Sequence, residues 1–259
     1  MTDHLAALDV RQVHAWYTRL ADMIGRQTVP DGNSRQTPLA AIFLRRYLAA
    51  RPNDVLEFTA PGYLRNAPQV RDALVYHRDV FLTRQQASFG PGQRRWVGVL
   101  PRLRGQAPYA RWTPGSQLRM HYHSLVEIGG TLREIFRIQR SGTPQERDLF
   151  TALRGFQLQS DVALSGQQNQ NSVRITFTSW NVHAFDRYDF DYSERLTLPN
   201  PDHGSTAPGA VRPEDRTLTV YHSNARRMVR AGLAAPYDLR SQPWAQQHQD
   251  LLAPADVTP

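Results

Sequence analysis

Cysteine and lysine are both absent from this sequence. Without thiols there is no disulfide, no thiolate nucleophile and no Cys-type zinc site, and the fold does not depend on a redox compartment. Apolar runs are short, and none approaches the roughly 20 residues that a bilayer-spanning helix needs. The first ten residues, MTDHLAALDV, carry neither the basic nor the apolar region of a secretory signal. A Gly-rich phosphate loop after a strand, a Gly-x-Ser-x-Gly elbow and a His-Glu-x-x-His pair are likewise missing. Their absence argues against nucleotide-binding, α/β-hydrolase and zincin chemistry. No internal repeat is present.

What the chain has in excess is arginine. All 31 basic residues are Arg, against 23 Asp and Glu, for a formal charge of +8. A guanidinium makes planar, two-pronged contacts to phosphate and carboxylate, so anionic partners are one reading of this bias. A GC-rich genome, which replaces Lys by Arg throughout, is the other. At 259 residues, 40% hydrophobic and 21% charged, the chain has a globular balance and the length to bury a sizeable core.

Helical spacing comes first along the chain. Val13, Trp16, Tyr17, Leu20 and Ile24 recur at three- and four-residue intervals before Gly25. Pro30–Ser34 (PDGNS) reads as a loop. Thr37-Pro38 reads as an N-cap with Pro at the first helical position of a helix from Leu39 to Ala50. His14 sits near the apolar face of the first helix, where a hydrogen-bonded core or boundary histidine belongs. From Val55 the pattern turns to strands: Leu74–Thr83, Trp96–Leu103, Gln117–Ile128, Phe156–Leu164 and Thr217–Tyr221, with a loop over Arg84–Arg95. Thr143-Pro144-Gln145-Glu146 is a capping box that opens a short helix to about Arg154, and a basic helix over Asn224–Ala231 ends at Gly232. The implied organisation is an N-terminal helical segment (1–53), a main α+β domain (54–245) and a flexible tail (246–259). The fold class is α+β, with N-terminal helices followed by a twisted, mostly antiparallel sheet or half-barrel with short helices.

Two groupings stand out before the central stretch. Alternation over Gln117–Ile128 puts His121, His123 and Glu127 on one face. Two histidines at i, i+2 with a carboxylate can ligate a metal, and the same pattern also describes an exposed polar strand face. Arg94, Arg95, Arg102, Arg104 and Arg111 lie among Trp96, Tyr109 and Trp112. Arginines interleaved with aromatics can bind a nucleic-acid strand or an anionic membrane, or can form a solvated face.

The densest chemistry lies in Ser172–Ser205. Val173, Ile175 and Phe177 alternate with Arg174, Thr176 and Thr178, a half-buried strand expected to pair antiparallel with Phe156–Leu164 across a long loop, Ser165–Asn171. The strand runs into Asp186, Arg187, Tyr188, Asp189, Asp191, Tyr192, Glu194 and Arg195, a cluster too polar for core. Such a cluster either binds a cation, an anion or a partner, or forms an ion-pair network with Tyr188 and Phe190 in the core. Leu198–Gly204 then turns the chain and presents His203 on a loop.

Several strings bear a wider resemblance: SLVEIGG (124–130), ERDLFTALRGFQLQSDV (146–162), DRYDFDYSE (186–194), LPNPDHGS (198–205) and YHSNARRM (221–228). They resemble an uncharacterised proteobacterial family often encoded near type VI secretion genes, over most of the chain. This resemblance implies a protein made in the bacterial cytoplasm without a signal peptide, with an immunity protein and a component of the secretion apparatus as partners. A second, local resemblance is to colicin M-type toxins. These cleave the pyrophosphate-linked lipid II precursor of peptidoglycan, need Mg²⁺, and carry an Asp-x-Tyr-Asp-x₅-His-Arg motif on a half-barrel. Asp186, Tyr188 and Asp189 match position for position, but the motif's His falls on Arg195 and its Arg on Leu196. The acid/base role then passes to His183 or His203.

The colicin M resemblance implies a metal-dependent hydrolase. Asp186, Tyr188, Asp189 and His203 would be catalytic, and Asp186 and Asp189 would hold Mg²⁺ through oxygen ligands. Arg187, Arg195, His183 and His222 would bind an anionic, lipid-linked substrate. Side chains three apart on a strand point to opposite faces, so convergence of the two Asp residues requires a bend or bulge near Arg187 or Tyr188. The expected function is an antibacterial toxin or secreted effector, delivered to the periplasm of a target cell and acting on a cell-envelope precursor. The alternative is a non-enzymatic secretion-associated adaptor that uses the N-terminal helices and the Arg/aromatic surface. Nucleic acid remains open as a further partner.

Overall fold

In the computed structural model, which describes residues 3–83, 85–90, 93–104, 113, 115–190 and 195–258, the first helix starts where Asp9 can cap it. Asp9 accepts from the Arg11 and Gln12 backbone N–H groups and Gln12 reaches back, a reciprocal capping box that fixes α1 over Val10–Gly25. Val13, Trp16, Tyr17 and Leu20 line its buried side. His14 is a boundary residue, with Nε2 3.4 Å from the Leu48 carbonyl. The Pro30–Ser34 loop is the turn of a small hairpin, β1 (Val29–Asp31) with β2 (Ser34–Gln36), and Gly32 supplies the positive φ of 60° that the turn requires.

α2 covers Leu39–Leu48, but Thr37 does not cap it. Its first two N–H groups, on Leu39 and Ala40, donate to the Asp148 carboxylate at 2.9 and 3.0 Å. β3 (Val55–Phe58) and α3 (Gly62–Arg65) follow, and then α4 over Pro68–Leu82. The strand expected over Leu74–Thr83 is thus the second half of a helix. Val70, Leu74, His77 and Phe81 are buried at three- and four-residue spacing, a period that only shows when the count starts at Pro68. The expected loop over Arg84–Arg95 contains a hairpin, β4 (Gln85–Gly90) with β5 (Gln93–Val97). The strand expected over Trp96–Leu103 breaks at Gly98 and continues as α5 (Val99–Leu103). Gly98 has φ 123°, and a Cβ there would lie 1.7 Å from the Thr83 carbonyl oxygen, so no other residue fits.

Beyond it come β6 (Gln117–Glu127), α6 (Leu132–Ser141), α7 (Pro144–Ala152), β7 (Gly155–Asn169) and β8 (Ser172–Tyr188). The Thr143 capping box forms as expected, with both of its reciprocal hydrogen bonds. β7 and β8 pair antiparallel, and their connection is a two-residue turn between Asn169 and Ser172 rather than a long loop. β9 (Arg195–Pro199), β10 (Thr217–Tyr221), α8 (His222–Arg230), β11 (Tyr237–Ser241), β12 (Trp244–Ala245), α9 (Gln249–Leu252) and β13 (Ala255–Val257) complete the chain. The expected flexible tail is instead tied down: Ala255–Val257 pairs with Val173–Ile175, and Leu251 and Val257 are buried.

The class is α+β, and the chain forms two compact units by interleaving its segments. The first takes Met1–Tyr63, Ile128–Arg154 and Asp186–Arg240, so the N-terminal helices are not a segment apart. Tyr17, Phe43, Tyr47 and Tyr237 form the aromatic part of its core. The second takes Leu64–Glu127, Gly155–Phe185 and Ser241–Pro259. Here α4 packs against one face of β6 and β7, burying Leu118, Met120, Tyr122, Phe156, Leu158 and Val162. The polar residues between them cover the other face.

One irregularity decides what that other face presents. Leu164 pairs with Phe177 but Ala163 with Ser179, so Thr178 is an extra residue in β8. Its hydroxyl donates to the Ala163 carbonyl at 3.0 Å. Before this bulge the odd-numbered Val173, Ile175 and Phe177 point inward; after it the even-numbered Trp180, Val182 and Ala184 do. Ser179, Asn181, His183 and Phe185 are thereby re-aimed to the open face.

Candidate functional site

The acidic end of β8 belongs to the first unit, and its members have different fates. Asp186 is half-buried and accepts the Arg187 backbone N–H at 2.8 Å. Burial pushes its carboxyl up to about 6, with the charge of Asp189 adding to the rise and the Arg187 N–H opposing it. The Arg187 guanidinium reaches Asp238 at 3.0 Å and stands 4.0 Å from Asp189. Tyr188 turns into the core, its ring 5.4–6.0 Å from those of Phe43, Tyr47, Phe190 and Tyr237. Burial raises its phenol far above the ordinary value, so this tyrosine is an anchor rather than a proton carrier.

The histidines expected beside the pair each have a different neighbour. His203 is exposed on its loop, with Nδ1 3.1 Å from the Pro213 carbonyl. His222 is buried at the start of α8, edge-on to Phe190 at 5.2 Å. His183 lies in the second unit, against Asp161. Arg195 opens β9 opposite Tyr221, and its side chain, together with Asp191, Tyr192 and Glu194, lies outside the described residues. Arg111, Tyr109 and Trp112 of the arginine/aromatic grouping also lie outside them. Among the described residues, no three His, Asp or Glu side chains are grouped so as to hold a metal ion. The Arg187 guanidinium thus stands near Asp189 while Asp186 meets the Arg187 backbone N–H, and the bulge of β8 lies at Thr178 rather than beside them.

A raised carboxyl is a stability statement. Asp186 titrates above its ordinary 3.8 in the folded chain, so stability is lost progressively between about pH 4 and pH 6, the full cost is present above about 6, and none is lost below about 4. Asp186→Asn is expected to stabilise the protein by about 1 kcal/mol at about pH 8, after allowance for solvent screening, and to change nothing near pH 4. Thermal unfolding at the two pH values checks this. An equal gain at both would show that the ionised carboxylate carries no such cost.

The second unit holds the more complete constellation. On the open face of its sheet, register places His121 beside Asp161 and Asp161 beside Asn181. His123, Gln159 and His183 form the next row. His183 Nε2 lies 2.5 Å from Asp161 Oδ2, and the Gln159 amide donates to both Asp161 oxygens at 3.1 Å. Asp161 is thus held from one side and fixes an imidazole on the other, the arrangement that orients a proton-transferring histidine. Gln117, Arg119, His121, Asp161, Ser179 and Asn181 line a cleft of about 460 Å³ on this face. One row away, His123 stands 6.4 Å from the Phe185 ring.

The opposite face supports this one. His77 of α4 is fully buried and bridges the Ser160 and Ser124 hydroxyls at 2.8 and 2.7 Å, pinning β7 and β6 to the helix. Burial, with the charge of His123 adding, holds His77 down to about 4, so it is a neutral structural pin. Ser160 and Asp161 are neighbours in sequence, so the pin sets the strand from which Asp161 projects.

Alternation in the sequence puts His121 and His123 on one face, and the structure agrees. Alternation over Phe156–Leu164 likewise turns Asp161 to the polar face, but His183, which completes the site, escapes the same reasoning. Extending the Val173–Ile175–Phe177 alternation sends His183 inward, and only the Thr178 bulge reverses it. No family model, curated protein or solved structure matches the chain.

Proposed function

We propose that the protein is an antibacterial effector that breaks a phosphodiester, with the open sheet face of the second unit as its working surface. The observation that carries this reading is His183 fixed by Asp161, which itself lines the cleft with Arg119 and His121. Breaking a phosphodiester needs a proton taken from the attacking oxygen, a proton given to the leaving one, and positive charge at the non-bridging oxygens. His183, His121 and Arg119 are of the types that supply these three. The +8 charge draws an anionic substrate to the surface. In this reading the protein is made in one cell's cytoplasm and delivered to another, and an immunity partner protects the producer.

A second reading rests on Asp186 and Asp189, three residues apart at the end of β8 with the Arg187 guanidinium 4.0 Å from Asp189. Their oxygen atoms suit Mg²⁺, which would neutralise the pair and polarise a pyrophosphate, as the resemblance to colicin M implies. The substrate would then be a lipid-linked envelope precursor in the periplasm.

Controlled expression separates these readings. Growth arrest when the chain stays in the cytoplasm is expected on the first, and arrest only on export to the periplasm would transfer the case to the second. Harmlessness in both compartments would sink the effector reading in favour of a secretion-associated adaptor.

A further inference from the structure

We propose that the phosphodiester is that of single-stranded RNA, cleaved through the substrate's own 2′-hydroxyl; this rests on the sheet-face reading above. Three features of the same face carry it. His121 and His183 flank one carboxylate, His121 across the β6–β7 pairing and His183 by direct contact from β8. Attack by a neighbouring hydroxyl needs two such groups, one to take a proton and one to give it, and no nucleophile from the protein.

Arg119 stands two residues before His121 on the same strand face, roughly 7 Å along the strand, so a phosphate held by the guanidinium lies within reach of the imidazole. Beyond His183 the face then changes character. Phe185 is the next outward residue on β8, the His123 ring is 6.4 Å from it, and Leu125 is 58% exposed in the same row. An aromatic platform about one strand repeat from an acid–base pair is where a base next to the scissile phosphate can stack.

The step balances without a co-reactant. One of His121 and His183 takes the 2′-hydroxyl proton, O2′ forms a bond to phosphorus, and the P–O5′ bond breaks. The other histidine returns a proton to O5′. The products are a 2′,3′-cyclic phosphate and a 5′-hydroxyl, and nothing is oxidised or reduced.

The test uses the purified full chain, a labelled single-stranded RNA oligonucleotide, its all-deoxy counterpart, and bis(p-nitrophenyl) phosphate, each with and without excess EDTA. The RNA is expected to be cut to fragments ending in cyclic phosphate, with the all-deoxy strand intact. His183→Ala, prepared identically, should lose about 10²–10³-fold in turnover. Phe185→Ala should raise KM several-fold with kcat nearly unchanged. Equal cleavage of RNA and DNA, or cleavage that EDTA stops, would overturn the 2′-hydroxyl mechanism. Intact RNA with His183-dependent cleavage of bis(p-nitrophenyl) phosphate would overturn RNA as substrate while leaving the sheet-face reading. No cleavage of any of the three would overturn both.

Discussion

Replacing Asp161 by Asn is expected to lower turnover by about 10³-fold, with KM and folding nearly unchanged. Asp161 does not lie where a reacting atom would sit; it acts through His183, so it is a positioning residue. With Asn, the 2.5 Å contact to His183 Nε2 loses its charged acceptor, and Gln159 loses an oxygen to which it donates. The imidazole is then free to rotate away from Asp161. The Asp161 side chain is 40% exposed, so the loss of one charge costs the fold little. The split between the two constants separates positioning from binding. Arg119→Ala, which removes a phosphate-holding group, should raise KM, whereas Asp161→Asn should fall on kcat. A merely structural Asp161 would move neither constant, or would move both along with the melting temperature.

Asp148→Ala is expected to produce the largest loss of stability, about 3 kcal/mol, which corresponds to a fall of roughly 6–12 °C in melting temperature. This buried carboxylate of α7 accepts three hydrogen bonds: from the Leu39 and Ala40 N–H groups at 2.9 and 3.0 Å, and from the Tyr63 hydroxyl at 2.6 Å. Burial raises its pKa and the three donors oppose that rise, so the donors are what make a carboxylate tolerable there. Removing it leaves the start of α2 and a half-buried phenol without an acceptor. Asp148→Asn retains one acceptor and should cost less. A loss below about 1 kcal/mol for the alanine variant would mean that water replaces the carboxylate and that Asp148 is not the cap of α2.

The cap on α2 also shows where sequence reasoning reaches its limit. The capping box at Thr143 is local, with all its partners within three residues, and it is legible at once. The acceptor that starts α2 lies 109 residues further along the chain, and Thr37-Pro38 offers a local substitute that the fold does not use. Range likewise explains the misread α4. Its buried positions keep helical spacing from Pro68, while the fragment Leu74–Thr83 alone reads as an apolar strand. The chain's end, polar and Pro-containing, gains its order from pairing with β8, which no local pattern announces.

The candidate site divides in the same way. His121 and His123 alternate visibly, and the pairing of β7 with β8 follows from two apolar alternations of matching length. A single extra residue at Thr178 then decides whether His183 faces the core or the open face of the sheet. Where a bulge falls depends on strand twist and on a side-chain bond to the Ala163 carbonyl, not on the hydrophobic pattern. The Asp186–Asp189 stretch attracts notice because its charge is dense in sequence. In the folded chain Tyr188 is committed to the aromatic core and Arg187 to Asp238, which leaves two carboxylates rather than a complete site.

The most direct measurement is growth of cells that express the chain in the cytoplasm, compared with cells that express Asp161→Asn or Asp189→Ala at equal, verified levels of soluble protein. Working chemistry on the sheet face predicts arrest by the parent chain and by Asp189→Ala, with growth restored by Asp161→Asn. Restoration by Asp189→Ala with continued arrest by Asp161→Asn would place the activity in the acidic cluster and contradict the account.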